Sequence, residues 1–179
     1  MSRFSSLPSH ATVMDVFKLS PELTNPILDY HEVLLRGPSP LSIAERELIA
    51  AYVSGVNNCG FCHGAHTATA EACGIGKGLV KEFLADINHP ELSEKMRPIL
   101  SYVRKLTEVP SSITVEDVAA VFNAGWNEQA LHHAIHVCAL FNFMNRLVEG
   151  HGIEALSPVI SEQLGRQLRD QGYAQFKAP

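Results

Sequence analysis

The sequence predicts an all-α fold. Three observations point there: helix-capping signals recur along the chain, alternating strand patterns are missing, and no Asn-Gly or Asp-Gly hairpin turn occurs. With 179 residues the chain fits one domain of ordinary size, or two small similar halves packed as one, and it can bury roughly 70% of its unfolded surface without metals or cross-links. An apolar fraction of 46% against 18% charged residues describes a soluble globular chain.

A first helix is expected over about 12–18. A second starts at Pro26 behind Asn25 and runs to Arg36, where Gly37 and Pro38 stop it. These two form an N-terminal helical arm within residues 1–40. Ser42 and Glu45 have capping-box spacing, so a third helix runs from Ile43 to about Val56, with Glu47, Leu48, Ala51 and Tyr52 repeating at helical intervals. Asn57 and Asn58 break that pattern, and Asn58 can cap a fourth helix over 59–72 that Gly74 ends. Further helices are expected at 77–86, 94–107, 115–124 after Thr114, 128–149 after Asn127, and 158–171 after Ser157-Pro158, about eight in all. The 128–149 helix is apolar almost all round, which places it in the core or against another subunit and makes it the natural oligomer-interface candidate. A weak echo links Glu45-x-x-Leu48-x-x-Ala51 to Glu128-x-x-Leu131-x-x-Ala134, aligning Asn142 and Asn145 with Cys59 and Cys62; an internal duplication would explain it. No linker divides the chain, so residues 1–179 are expected to form a single domain, with 41–75 carrying the central motif and 76–179 the remaining helices and the interface.

A formal net charge of −5 without Lys/Arg clusters weighs against nucleic-acid and anionic-membrane partners and favours small molecules or proteins. The first residues hold no apolar stretch of signal-peptide length, and no later segment offers about 18 uninterrupted apolar residues, so a cytoplasmic location is expected. In that setting the cysteines at 59, 62, 73 and 138 are not a structural disulfide framework, and the close pair becomes metal-binding or catalytic.

On a helix, residues three apart have Cα atoms roughly 5 Å apart, inside the range of about 4.4–6.8 Å that a disulfide accepts. Cys59 and Cys62 can therefore close without unfolding the helix. His66 stands four residues beyond Cys62 and can take its proton or hold its thiolate, and His63 stands in the same relation to Cys59. The helix N-terminus and a nearby imidazole lower a thiol from its usual pKa of about 8.5 toward neutrality. A thiolate attacks a peroxide oxygen to give a sulfenic acid, which a second cysteine converts to a disulfide before over-oxidation. Such chemistry needs no cofactor, because an external dithiol reopens the disulfide by exchange. The same C-x-x-C spacing also serves zinc sites, in which Cys59, Cys62 and His66 would supply three ligands and Glu47 or another residue the fourth, and it occurs as two small buried residues at a helix start.

The larger pattern, Glu47-x₁₁-Cys59-x₂-Cys62-x₃-His66 within ERELIAAYVSGVNNCGFCHGAH, resembles the alkylhydroperoxidase AhpD-like group of the carboxymuconolactone decarboxylase superfamily, particularly its peroxidase-related branch. The motif likeness covers about residues 41–75, and a looser one extends through the Thr114 helix and Phe141-Asn142-x-x-Asn145-Arg146. The resemblance implies an AhpD-like helical bundle assembled as a homo-oligomer, a trimer or hexamer, that reduces hydroperoxides in antioxidant defence with electrons from a lipoyl or thioredoxin-like protein. It further implies that Cys62 attacks the peroxide and Cys59 resolves it, while Glu47 orients and charge-balances His66 and His66 tunes Cys62. The sequence departs from the pattern at Phe61, where AhpD-type proteins carry a histidine; His63, on the other side of Cys62, is the candidate replacement. True carboxymuconolactone decarboxylases lack the cysteine pair, which argues against decarboxylation. A dithiol redox sensor or a thiol-disulfide oxidoreductase would use the same residues.

Among the remaining candidates, His31 and His151 are expected at the surface or at helix caps, and His132, His133 and His136 in core or interface packing. Cys73 and Cys138 are expected as small buried residues. Asn142, Asn145 and Arg146 are expected to make buried or inter-subunit hydrogen bonds.

Overall fold

A computed structural model describes residues 3–177, which form nine α-helices and two single-turn 3-10 helices with no strand among them. The helices are α1 (Val13–Phe17), α2 (Pro21–Arg36), α3 (Ile43–Val56), α4 (Gly60–Ala72), α5 (Leu79–Ala85), α6 (Met96–Glu108), α7 (Val115–Asn123), α8 (Glu128–His151) and α9 (Pro158–Gln171). The all-α expectation holds. Each of the nine segments expected to be helical is a helix, down to the five-residue α1, so the count is nine where the round expectation was about eight. The ends of the expected domain, Met1, Ser2, Ala178 and Pro179, lie outside the described residues.

Local chemistry accounts for most helix starts. Ser42 Oγ accepts the Glu45 N–H at 3.2 Å and the Glu45 carboxylate accepts the Ser42 N–H at 2.7 Å, the reciprocal box that nucleates α3. Asn127 Oδ1 accepts the Ala130 N–H at 2.9 Å at the start of α8, and Gly152, at φ 69°, ends that 24-residue helix in a backbone region that excludes most side chains.

Two starts differ from expectation. Helix α2 begins at Pro21, not Pro26, with Ser20 as its cap. Proline at the first helical position gives up an N–H that would be unpaired anyway; Asn25 and Pro26 lie inside the helix. Helix α4 is capped by Cys59 rather than Asn58, which adopts φ 55° in the sharp turn after α3.

Helix α3 is the centre of the bundle. Every residue from Arg46 to Ser54 is buried, and the helix packs on α4, α8, α6 and α5. Small residues, Ala50 and Ala51 on α3 and Ala65 and Ala68 on α4, are buried along the α3 and α4 helices, so this buried helix carries Glu47 into the interior. Val16, Phe17, Leu28 and Leu35 of α1 and α2 join the same hydrophobic core. The two echoing stretches fold differently: the first breaks at Asn57–Cys59 between two helices, whereas α8 continues unbroken through Asn142 and Asn145. The duplication therefore gains no support from the fold. No helix of the described residues is long and apolar enough to cross a membrane.

Candidate active site

The cysteine pair sits where α3 turns into α4. The Cys59 N–H donates to the Ser54 carbonyl at 3.0 Å, and the Cys59 carbonyl accepts the His63 N–H at 2.9 Å as the first bond of α4. Cys62 is thus the third helical residue, and its own N–H belongs to the unpaired first turn, beside the Cys59 side chain. Both are free thiols, Cys59 wholly buried and Cys62 3% exposed. The hydrogen bond from the Cys62 thiol, reinforced by the Cys62 backbone N–H, holds the Cys59 thiol below its ordinary range against the opposing effect of burial. The same contact with Cys59, together with burial, pushes the Cys62 thiol up. Two residues of α8 flank the sulfurs: Asn145 hydrogen-bonds to Cys62, and the Glu149 carboxylate acts on both. Asn145 is fixed in turn, accepting from Asn57 Nδ2 at 2.9 Å and donating to Ser54 Oγ at 3.0 Å.

One turn further along α4, His66 donates from Nδ1 to Glu47 Oε2 at 2.8 Å. The other Glu47 oxygen accepts from Arg36 Nη1 at 2.6 Å and from the Tyr173 hydroxyl at 2.7 Å. Glu47 has no solvent exposure. Burial alone would raise its pKa, but His66, then Arg36 and the Tyr173 hydroxyl, outweigh it and hold the carboxyl below its ordinary range. Arg36 is anchored by the Leu168 carbonyl at 3.0 Å, and its guanidinium lies 4.8 Å from the Tyr173 ring centre. The Tyr173 hydroxyl is held well above its usual pKa by burial and by the charge on Glu47, so it stays a donor.

Cys62 and His66 both line a cavity of about 60 Å³, room for roughly four or five water-sized groups. Its wall is otherwise apolar, with Phe17, Phe61, Phe141 and Met144 prominent, and its other polar residues are His31 and Tyr173. His31 is not the surface or cap residue expected: it is 3% exposed, because α2 turns this side against Phe141 and Tyr173. His31 Nδ1–H donates to the Ile27 carbonyl at 2.8 Å, and burial pushes its pKa down to about 4.

The structure therefore brings together Glu47, His66 and the Cys59/Cys62 pair. It does not bring in His63, whose Nδ1 donates to the Ala51 carbonyl at 2.9 Å and which does not line the cavity. Cys73 is half-buried at the end of α4 rather than packed away, while Cys138 is buried against Thr107. His132, His133 and His136 lie outside the core on α8, with His133 on Ser39 and His136 on the Tyr30 hydroxyl. His151 is half-buried at the end of α8 and stacks on Phe4. Asn142, Asn145 and Arg146 do form a hydrogen-bonded group, within the chain. Among the described residues no three His, Cys, Asp or Glu side chains converge as a metal ligand set. Sequence reasoning missed Arg36, Tyr173, His31 and Glu149.

The sequence profile of the carboxymuconolactone decarboxylase family matches residues 21–100, the stretch holding α2, α3, the dithiol and His66. The fold is similar to that of a solved structure described as an uncharacterized peroxidase-related protein from Silicibacter sp. TM1040, with a TM-score of 0.74 and 26% identity over 81% of this chain and 76% of that one. It is also similar to an alkylhydroperoxidase AhpD core structure, an uncharacterized peroxidase-related protein from Ralstonia eutropha JMP134, with a TM-score of 0.79 and 18% identity over 92% and 96% of the two chains. Comparison with curated protein sequences gives no match.

Proposed function

We propose that the chain is a member of the carboxymuconolactone decarboxylase superfamily, in its AhpD-like, peroxidase-related branch, and that it is a thiol-dependent hydroperoxide reductase working through Cys59 and Cys62. The observation that carries the reading is that Cys62 and a carboxylate-held histidine, His66, share one apolar cavity. The Cys62 thiolate attacks the terminal oxygen of a hydroperoxide ROOH, the O–O bond breaks, and RO⁻ leaves and takes a proton from His66 to become ROH. Cys62 is then a sulfenic acid, and attack by the Cys59 sulfur forms the disulfide and releases water. An external dithiol, of the lipoyl or thioredoxin-like kind, restores both thiols by exchange. Glu47 keeps His66 in the tautomer with Nδ1 as donor and balances its positive charge, and Arg36 and Tyr173 hold Glu47 in place.

Access and resting charge favour different sulfurs. Cys62 lines the cavity and Cys59 does not, whereas the hydrogen bond between them favours the thiolate on Cys59. Proton transfer along that bond places the charge on the sulfur the peroxide can reach. The assignment is tested by trapping sulfenic acid after one equivalent of peroxide: Cys59→Ser should trap it at Cys62, and Cys62→Ser should trap none. The reverse pattern exchanges the roles.

The reading as a whole is tested by steady-state consumption of hydrogen peroxide and an organic hydroperoxide with dithiothreitol, on wild type and Cys62→Ser. Turnover that is independent of Cys62 refutes it. Burial of both sulfurs favours one competitor, a sensor whose disulfide forms without multiple turnover; a readily formed Cys59–Cys62 disulfide with no sustained turnover is the result that selects it. The proposed setting is a cytoplasmic homo-oligomer, trimeric or hexameric.

A further inference from the structure

Two histidines face the cavity, and their surroundings differ. Each uses Nδ1 to anchor itself to the protein: His66 to the Glu47 carboxylate at 2.8 Å, His31 to the Ile27 carbonyl at 2.8 Å. A carbonyl oxygen can only accept, so Nδ1 of His31 carries the ring proton. In a neutral ring Nε2 is then a bare acceptor. The hydrogen bond that holds His31 runs through Nδ1, and the side chain, 97% removed from solvent, lines the cavity with Cys62. His66 leans on a carboxylate, whereas His31 leans on a neutral carbonyl among apolar neighbours, and burial keeps His31 uncharged at physiological pH.

A hydroperoxide presents the complementary pattern: one O–H donor on its terminal oxygen and lone pairs on the oxygen next to carbon. Resting on the peroxidase reading, we infer that His31 is a further substrate-binding residue, whose bare Nε2 accepts the O–H of the bound hydroperoxide while His66 donates to the leaving oxygen. The terminal oxygen is thereby presented to Cys62. The hydrogen held by His31 stays on its oxygen throughout: it begins as RO–OH and ends as the hydroxyl of the Cys62 sulfenic acid, while the proton that completes ROH comes from His66. His31 transfers nothing, and its contribution is orientation. It also selects substrates, because dialkyl peroxides lack the hydrogen that His31 receives.

Asparagine and glutamine separate this role from simple packing. The asparagine amide reaches roughly where Nδ1 lies, so His31→Asn keeps the anchor to Ile27 and removes the cavity acceptor. The glutamine amide extends to the Nε2 position, so His31→Gln restores an acceptor and loses the anchor. Each variant is compared with wild type in tert-butyl hydroperoxide reduction with dithiothreitol, and in alkylation of Cys62 by iodoacetamide, which needs the thiolate but no O–H acceptor. His31→Asn is expected to lose roughly tenfold in kcat/KM, chiefly by a rise in KM, the size of one lost neutral hydrogen bond. Its alkylation rate should stay within about twofold of wild type, and His31→Gln should recover most of the kcat/KM. His31→Leu, which retains bulk if asparagine leaves too large a gap to fold, is expected to show the same loss as His31→Asn. Unchanged peroxide kinetics in His31→Asn and His31→Leu overturn the inference. So does a parallel fall in alkylation, or a glutamine variant worse than the asparagine one, since either marks a packing role. If wild type reduces no hydroperoxide, the peroxidase reading fails and this inference falls with it; normal wild-type turnover with unaffected variants removes His31 alone.

Discussion

Glu47 is a buried charge whose every oxygen is occupied, and its removal is costly for that reason. In Glu47→Gln the half-buried Arg36 loses its counter-charge, and His66 loses the group that fixes its tautomer. Breaking a buried pair by removing one partner costs about 3–5 kcal/mol; because Arg36 keeps some solvent contact, a loss of about 3 kcal/mol in urea unfolding is expected, together with loss of peroxide turnover. Unchanged stability would mean that Arg36 finds water. His31 supplies a pH dependence of its own. Its folded pKa of about 4 lies below the unfolded value near 6.5, so the unfolded chain binds the extra proton first. Stability is complete above pH 6.5 and falls as pH drops toward 4, by about 3 kcal/mol across that window. The loss belonging to Glu47, whose pKa is also depressed, begins as pH falls through the ordinary carboxylate value near 4.5 and continues below it. Unfolding measured between pH 7.5 and 5 in wild type and His31→Gln should therefore show a steeper decline in wild type. At this scale Cys59, Cys62, His66 and Glu47 were legible because they stand at fixed offsets within one helix pair. Arg36 and Tyr173 reach the same carboxylate from 11 and 126 residues away, and no local periodicity records such an approach.

Helix boundaries follow the caps, which act over three or four residues and so are visible in the sequence: Ser42, Thr114, Asn127 and Ser157 each start a helix as their side chains require. Pro26 was misleading because its stronger rival lay five residues earlier in Pro21, and because an interior proline is tolerated where packing supports the helix. His31 was misplaced for a related reason: which face of α2 is buried depends on where α8 and the 172–177 segment lie. Helix α9 approaches the backbone of α4 closely at a glycine. A Cβ on Gly165 would stand 2.6 Å from the carbonyl carbon of Ala68 and 2.8 Å from the Thr69 nitrogen, both of them backbone atoms that cannot swing aside. Gly165→Ala should therefore force the helices apart and cost about 1–3 kcal/mol in urea unfolding. Leu164 and Leu168 of α9 line the cavity, so the variant should also raise the KM for an organic hydroperoxide. A stability equal to wild type would show that α9 can slide without loss.

The cavity is assembled from distant parts of the chain: Val13 and Phe17 of α1, Leu28 of α2, Cys62 of α4, Phe141 of α8, and Phe176 in the final 3-10 turn. The Tyr173 and Ala174 N–H groups donate to the Glu32 carboxylate at 2.6 and 3.2 Å, which ties this last turn to α2. On the outward side of α2, Leu23, Tyr30 and Val33 recur at helical spacing, all exposed, and Phe143 of α8, 49% exposed, lines a shallow apolar groove with Tyr30, Ile27 and Leu140. The sequence marked α8 as the interface helix because its apolar residues exceed one face; the structure divides that surplus between the core and this groove, shared with α2. A continuous apolar surface of this kind is what association covers. If the proposed oligomer forms here, replacing the exposed Val33 and the groove residue Phe143 together with glutamate introduces like charges on the contact face, and light scattering should show a shift to smaller species. Both side chains are already exposed, so monomer stability should fall by no more than about 0.5 kcal/mol per site. An unchanged mass would place the interface elsewhere. Because Tyr30 and His31 are neighbours on α2, one facing the groove and the other the cavity, a smaller species that also loses peroxide turnover would show that association sets the position of the substrate-facing side of this helix.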